Sequence, residues 1–217
     1  MPNFLREMAL GGRVAGIDEV GRGPLAGPVT AAAALLDPTR LPKSLLRRID
    51  DSKKLRLAAR EAVYESLLEF SGRGIWFAVA SASVEEIDRV NILQATFLAM
   101  TRALDELASQ LGARPDGVLI DGNRAPKGIS GKVECVIGGD AQCLSIACAS
   151  ILAKVTRDRL MSELARDFPG YGWETNMGYG TAAHLAGLTS LGVTPHHRRS
   201  FAPVARCMTT RVVSEGK

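Results

Sequence analysis

Asp18 and Glu19 stand side by side, after the apolar run Val14-Ala-Gly-Ile17 and before the turn Gly21-Arg22-Gly23. Adjacent carboxylates leaving a sheet lose solvent and repel each other, which is costly unless a cation lies between them. The glycines that follow leave main-chain N–H groups open, a surface suited to phosphate or sugar. Two further acids sit in comparable places. Asp121 closes the short run Val118-Leu-Ile, and Asp140 follows the stretch 133–137 and Gly138-Gly139. A lone acid after a strand is ordinarily a solvated loop residue. Three such positions, each with a glycine beside or near it (Gly16, Gly122, Gly139), are hard to assign to coincidence. Carboxylate oxygens suit Mg2+ or Mn2+, and Mg2+ keeps waters and takes other oxygens from substrate, so four acids suffice. Cations held this way can make water nucleophilic and stabilise a leaving alkoxide, the two needs of phosphodiester hydrolysis.

Positioning these acids calls for a sheet. Residues 13–17 predict a first strand that ends at the acid pair. A regular strand would point Asp18 and Glu19 to opposite faces, so a turn is expected there. Residues 28–36 fit a buried strand, but their alanines would equally permit a helix. The pattern over 42–70 is helical, and 75–81 reads as a strand by its aromatic and β-branched content. Ser83 and Glu86 have capping-box spacing, ahead of an amphipathic helix over 92–111 closed by Gly112. Strands follow at 118–121 and 133–137, then a helix over 147–168, and Thr181 is placed to cap a helix through Leu191. This order describes a mixed α/β sheet with covered faces, whose ligands belong at the carboxyl ends of its strands.

Composition narrows the class. The 217 residues are 46% hydrophobic and 23% charged, enough for a sizeable core in one large domain. A net charge of +4 leans mildly toward polyanionic partners. Lys154, Arg157 and Arg159 form one basic segment, and Arg198, Arg199, Arg206 and Arg211 another. Cys135, Cys143, Cys148 and Cys207 contain no C-x-x-C pair, and His196 and His197 are adjacent, which argues against a zinc site. Scattered cysteines fit a reducing compartment. Residues 1–10 carry Arg6 and Glu7 without an apolar core, unlike a signal peptide, and no apolar run approaches the roughly 18 residues of a membrane span. A cytoplasmic protein without a membrane segment is expected. A dinucleotide site built on Gly21-x-Gly23 with Asp37 as ribose acid is a rival. Pro24 and Pro28 would break its helix, and the third glycine is displaced to Gly27.

The chain resembles the ribonuclease HII family in Gly16-Ile-Asp-Glu-Val-Gly-Arg-Gly-Pro-Leu-Ala-Gly-Pro28, Asp51-Ser-Lys-Lys-Leu55 and Leu119-Ile-Asp-Gly-Asn123. The likeness continues in Gly139-Asp-Ala141, in Ala149-Ser-Ile-Leu-Ala-Lys-Val-Thr-Arg-Asp158 and in Gly178-Tyr-Gly-Thr181. It ends in His196-His-Arg-Arg-Ser-Phe-Ala-Pro203, so the set runs in family order from about residue 13 to 206. The resemblance implies a ribonuclease H-like mixed five-stranded sheet flanked by helices, with a C-terminal helical segment. It implies one catalytic domain over 13–207, preceded by an extension over 1–12 and followed by a flexible tail over 208–217.

It also implies a metal-dependent endonuclease, using Mg2+ or Mn2+, that hydrolyses RNA in RNA/DNA hybrids and single ribonucleotides in duplex DNA. The products would carry 3′-hydroxyl and 5′-phosphate ends, and the enzyme would act as a monomer. The four catalytic and metal-binding acids fall on Asp18, Glu19, Asp121 and Asp140, the 2′-hydroxyl-sensing turn on Gly21-Arg22-Gly23, and the junction-sensing tyrosine on Tyr179. Lys53, Lys54, Lys154, Arg157, Arg198 and Arg199 are candidate phosphate contacts, though any one would also fit a solvated charge. Asp158 rivals Asp140 for the fourth acid, and Asp140 is preferred because it follows a strand. His184 is expected to pack or face solvent. Gln142 and Met177 replace basic residues often found at their places in the family. The alternative of hybrid binding without catalysis is disfavoured by four intact acids.

Overall fold

The computed structural model describes the backbone of residues 1–215 and the side chains through Thr209. In chain order the elements are α1 (Leu5–Leu10), β1 (Val14–Val20), β2 (Val29–Leu36), α2 (Lys43–Leu46), α3 (Leu57–Glu69), β3 (Ile75–Ala82) and α4 (Val84–Val90). Then come α5 (Ile92–Leu111), β4 (Gly117–Asp121), β5 (Lys132–Val136), α6 (Leu144–Asp167), α7 (Trp173–Asn176), α8 (Ala182–Leu191) and α9 (Ala202–Glu215). Among the described residues no helix is long and apolar enough to cross a membrane. The chain divides into two compact units.

The first unit comprises Met1–Val20, Thr30–Ser81 and Phe97–Val155. Its five-stranded sheet has the order β3-β2-β1-β4-β5. Strand β1 pairs antiparallel with β2 and parallel with β4, and β4 pairs parallel with β5. Residues 29–36 are thus a strand, and every one of them is buried. Burial on both faces explains why period-two alternation is missing from its sequence. Ala32 and Ala34 pack with the buried residues 147–149 and 151–153 of α6. Gly16 lets β1 and α6 approach closely, since a Cβ there would lie 2.3 Å from the Ile146 amide nitrogen.

The helix expected over 42–70 is interrupted. The Asp51 carboxylate accepts the Lys53 amide at 2.9 Å, and the Asp51 carbonyl accepts the Lys54 amide at 3.0 Å. A local side-chain acceptor competes with the helical ladder there, between the end of α2 at Leu46 and the start of α3 at Leu57.

The second unit comprises Gly21–Val29, Ala82–Thr96 and the chain from Thr156 onward. Ser83 and Glu86 close a capping box on α4, and the Thr181 hydroxyl accepts the His184 amide at 3.3 Å to cap α8. Ala26, Met161, Tyr171 and Trp173 form one apolar core, and Leu25, Leu188 and Val204 another. Both Asp88 oxygens meet the start of the final helical segment, accepting the Arg199 and Ser200 amides at 2.9 Å. The backbone remains helical through Glu215. Of the tail expected over 208–217, residues 216–217 and the side chains beyond Thr209, Arg211 among them, lie outside the described residues.

Candidate active site

In the first unit Asp18, Asp121 and Asp140 converge, with ligand oxygens all within 4.8 Å of one another. Each arrives by a different route. Asp18 lies inside β1, because that strand runs on to Val20 instead of turning at the acid pair. Antiparallel pairing sustains it: Asp18 faces Ala32 and Glu19 faces Ala31 across β2, after the parallel register with β4 has ended at Ile17. Asp121 is the last residue of β4, where Gly122 adopts φ +95 and the chain departs. Asp140 sits in a short 3₁₀ turn, Gly139–Ala141, reached through left-handed Gly138.

Hydrogen bonds lock this geometry. Asp18 Oδ1 accepts the Glu19 amide at 2.7 Å, and its carboxylate is also bonded by Ser150. Ser150 Oγ in turn lies 2.8 Å from Ser52 Oγ. Asp121 Oδ1 accepts the Gly139 amide at 2.7 Å. A Cβ on Gly139 would come within 2.5 Å of Ile146 Cδ1, so a larger residue there would have to displace the end of the Ile146 side chain. Burial, then the charges of Asp121 and Glu19, hold the Asp18 carboxyl well above its ordinary range. Burial also raises Asp121, with Asp140 adding to it and the Gly139 amide and Lys53 opposing. Clustered carboxylates that resist ionisation fit a divalent cation, whose charge offsets both desolvation and repulsion.

Glu19 stands outside the converging trio. Its charge nevertheless reaches Asp18. Lys53, a candidate phosphate contact, has its ammonium bonded to Asp140 at 3.0 Å while its side chain stays 75% exposed. Burial pulls the Lys53 pKa down, but Asp140, Asp18 and Asp51 outweigh it and the net shift is upward. Gln142 also has a place: its Nε2 bonds the Ile137 carbonyl at 2.8 Å and steadies the chain entering the Asp140 turn. Asp158 is buried on α6 and is not a member of the trio. Asp140→Asn is therefore expected to lower turnover on the order of 100-fold or more, beyond the roughly 10–100-fold that the supporting groups of a metal site are worth. Asp158→Asn should act mainly on stability. The opposite ranking, measured at matched folded fraction, would overturn this choice of fourth acid.

In the second unit the turn at Gly21-Arg22-Gly23 meets Tyr179. A Cβ on Gly23 would lie 3.4 Å from Tyr179 Cε1, and the tyrosine is 45% exposed. The adjacent Leu25 amide bonds the Gly178 carbonyl at 2.8 Å. Arg157 and Arg198, considered for phosphate in the sequence, are wholly buried and donate to main-chain carbonyls. A contact with substrate phosphate is not open to either. Lys154 is half-buried, and Arg22 is exposed. Met177 half-buries against the Ala26 and Trp173 core in a left-handed conformation.

His184 is buried, and so is His197. Trp173 Nε1 donates to His184 Nε2 at 3.1 Å, the two Nε2 atoms lie 3.0 Å apart, and His184 Nδ1 lies 3.0 Å from the Tyr179 carbonyl. Thr194 supplies its amide to His197 Nδ1 at 3.0 Å. Burial, reinforced by the neighbouring imidazoles, pushes His197 down to about 3, and burial lowers His184 as well.

A sheet of this order with three acids gathered in its unit defines a ribonuclease H-like, metal-dependent nuclease. The family model described as Ribonuclease HII matches residues 15–204, and the chain belongs to the ribonuclease HII family. It is an RNase H endonuclease, a hydrolase acting on RNA/DNA hybrids that depends on a divalent metal. A curated Ribonuclease HII from Paramagnetospirillum magneticum is 58% identical over 208 residues, covering 96% of this chain and 99% of the relative. The crystal structure of ribonuclease H2 from Pyrococcus horikoshii is similar with a TM-score of 0.73 at 25% identity, over 91% of this chain and 98% of that one. Bst-RNase HIII in complex with Mn2+ shares the fold, with a TM-score of 0.70 at 21% identity, over 97% of this chain and 74% of that one.

Proposed function

We propose that the enzyme cuts RNA in hybrids and also incises duplex DNA beside a single embedded ribonucleotide, leaving 3′-hydroxyl and 5′-phosphate ends. The observation that carries the chemistry is the convergence of Asp18, Asp121 and Asp140 within 4.8 Å. These three carboxylates, with Glu19 joining them, would hold Mg2+ or Mn2+. The bound cations supply a nucleophilic water and charge stabilisation for the leaving oxygen. The chain's own residues do the rest. Ser150 and the Gly139 amide orient the Asp18 and Asp121 carboxylates. Lys53, long and exposed, can move from Asp140 to a substrate phosphate. The turn at Gly21-Arg22-Gly23 reads the ribose 2′-hydroxyl, the group that separates RNA from DNA. Tyr179 packs on the neighbouring deoxyribose, which makes a single-ribonucleotide junction a substrate. The protein acts as a cytoplasmic monomer.

Three labelled duplexes test this reading with Mg2+ and with Mn2+: one ribonucleotide in DNA, a uniform RNA/DNA hybrid, and plain DNA. Cleavage of the first two, with 3′-hydroxyl ends and the plain duplex untouched, is expected. Binding of the hybrid without cleavage under either metal would favour the non-catalytic alternative.

A further inference from the structure

Two arginines of the second unit are buried and, among the described residues, direct their side-chain hydrogen bonds to main-chain oxygens. Arg157 donates three hydrogen bonds, from Nε to the Pro28 carbonyl, from Nη1 to Met177 and from Nη2 to Ala26. Arg198 donates four, from Nε to Gly27, from Nη1 to Arg22 and from Nη2 to Gly21 and Pro28. All seven lie between 2.5 and 3.2 Å and end on main-chain oxygens. Burying a guanidinium is costly unless its donors are satisfied, and a well-packed apolar side chain would often serve stability as well. What these two achieve is orientation of one loop.

The loop's chemistry depends on that orientation. Among the described residues no peptide bond is cis, so each amide N–H points opposite to the carbonyl of its own peptide plane. The Gly21 and Arg22 carbonyls turn toward Arg198. The N–H groups of Arg22 and Gly23 must then point away from it. Gly21 is shaped for the same purpose: it has φ +90, and a Cβ there would lie 2.2 Å from Arg157 Nε. Arg157 also links the Ala26 and Pro28 carbonyls to that of Met177, two residues before Tyr179. Burial, the largest influence, lowers Arg157 to about 10 and Arg198 to about 9, so both remain charged at neutral pH.

We propose that Arg157 and Arg198 are positioning residues for ribose selection: they hold the carbonyls of Gly21, Arg22, Ala26, Gly27 and Pro28 inward and so aim the Arg22 and Gly23 amides at the 2′-hydroxyl. This rests on the reading that the Gly21–Gly23 turn senses ribose. Lysine keeps the charge but loses the planar fork that serves several carbonyls at once.

The test compares wild type with Arg198→Lys and Arg157→Lys, using KM and kcat on a single-ribonucleotide duplex and inhibition by the all-deoxy duplex of the same sequence. The ratio of the deoxy inhibition constant to the ribo KM reports ribose selection. Arg198→Lys is expected to lower that ratio about tenfold, the effect of losing charge-assisted hydrogen bonds, with the deoxy inhibition constant nearly unchanged. Arg157→Lys should lower it in the same direction. A merely structural role would weaken both duplexes together. An undiminished ratio, or a parallel loss on both duplexes, overturns the positioning role, whereas a wild-type ratio near one overturns the ribose-sensing reading beneath it. Amide NMR of the wild type gives an independent check should the variants fold poorly. The Arg22 and Gly23 signals should shift with the ribo duplex and not with the deoxy one, and equal shifts would refute the proposal.

Discussion

Asp18→Asn and Asp121→Asn are each expected to lower metal-dependent cleavage of a hybrid on the order of 100-fold or more, while hybrid affinity stays within about threefold. Outer-shell partners of bound metals are worth about 10–100-fold, and these carboxylates stand one step closer to the ion. Affinity survives because phosphate attraction comes from cationic side chains elsewhere. The same substitutions should stabilise the metal-free protein. Asp18 holds its proton more tightly folded than unfolded, so ionisation opposes folding. Metal-free wild type therefore loses stability as pH rises past the ordinary aspartate range, and Asp18→Asn removes that slope. Each kcal/mol relieved corresponds to about 2–4 °C in the unfolding midpoint for a chain of this size. Saturating Mg2+ should erase the advantage, since wild type gains a ligand the variant binds poorly. Thermal melts across pH, with and without Mg2+, provide the measurement. Near-wild-type cleavage by either variant would remove its acid from the metal site.

Tyr179→Ala is expected to cost at least about tenfold more kcat/KM on a single-ribonucleotide duplex than on a uniform hybrid, with Tyr179→Phe close to wild type. Stacking on an aromatic plate is worth about 1–3 kcal/mol per contact, enough for that preference. The ring is 45% exposed and edges the glycine turn, where a Cβ on Gly23 would lie 3.4 Å from it, in van der Waals contact. A uniform hybrid offers ribose on both sides of each bond, so a ring suited to deoxyribose has less to recognise there. Equal losses on both substrates would leave Tyr179 with a structural role alone.

Much of this was legible in the sequence because local chemistry and tertiary position agree. Asp121 and Asp140 follow short apolar runs, and both reach the acid cluster. Ser83 with Glu86 and Thr181 announced their caps, and both form. What escaped is long-range. The turn expected at Asp18-Glu19 is absent because β2 continues to pair with β1 there, and no local pattern reveals that partner. The link from Ser52 to Ser150 spans 98 positions, and Lys53 reaches Asp140 across 87. Arg198 reads as a surface cation in a basic run, and its burial follows from carbonyls about 170 positions earlier. Charge patterning records composition, whereas satisfaction of those donors is decided by the fold.

The histidine ladder has a polarity. An indole N–H and a main-chain amide can only donate, so His184 Nε2 and His197 Nδ1 must be acceptors. The remaining nitrogens carry the protons: His197 Nε2 gives to His184, and His184 Nδ1 gives to the Tyr179 carbonyl. Reversal would require an amide that accepts or a carbonyl that donates. Both tautomers are therefore dictated by groups that never titrate, and neither ring has a vacant lone pair to offer a substrate. These imidazoles serve the enzyme as mechanical struts behind Tyr179, and proton traffic near neutral pH must run through other groups.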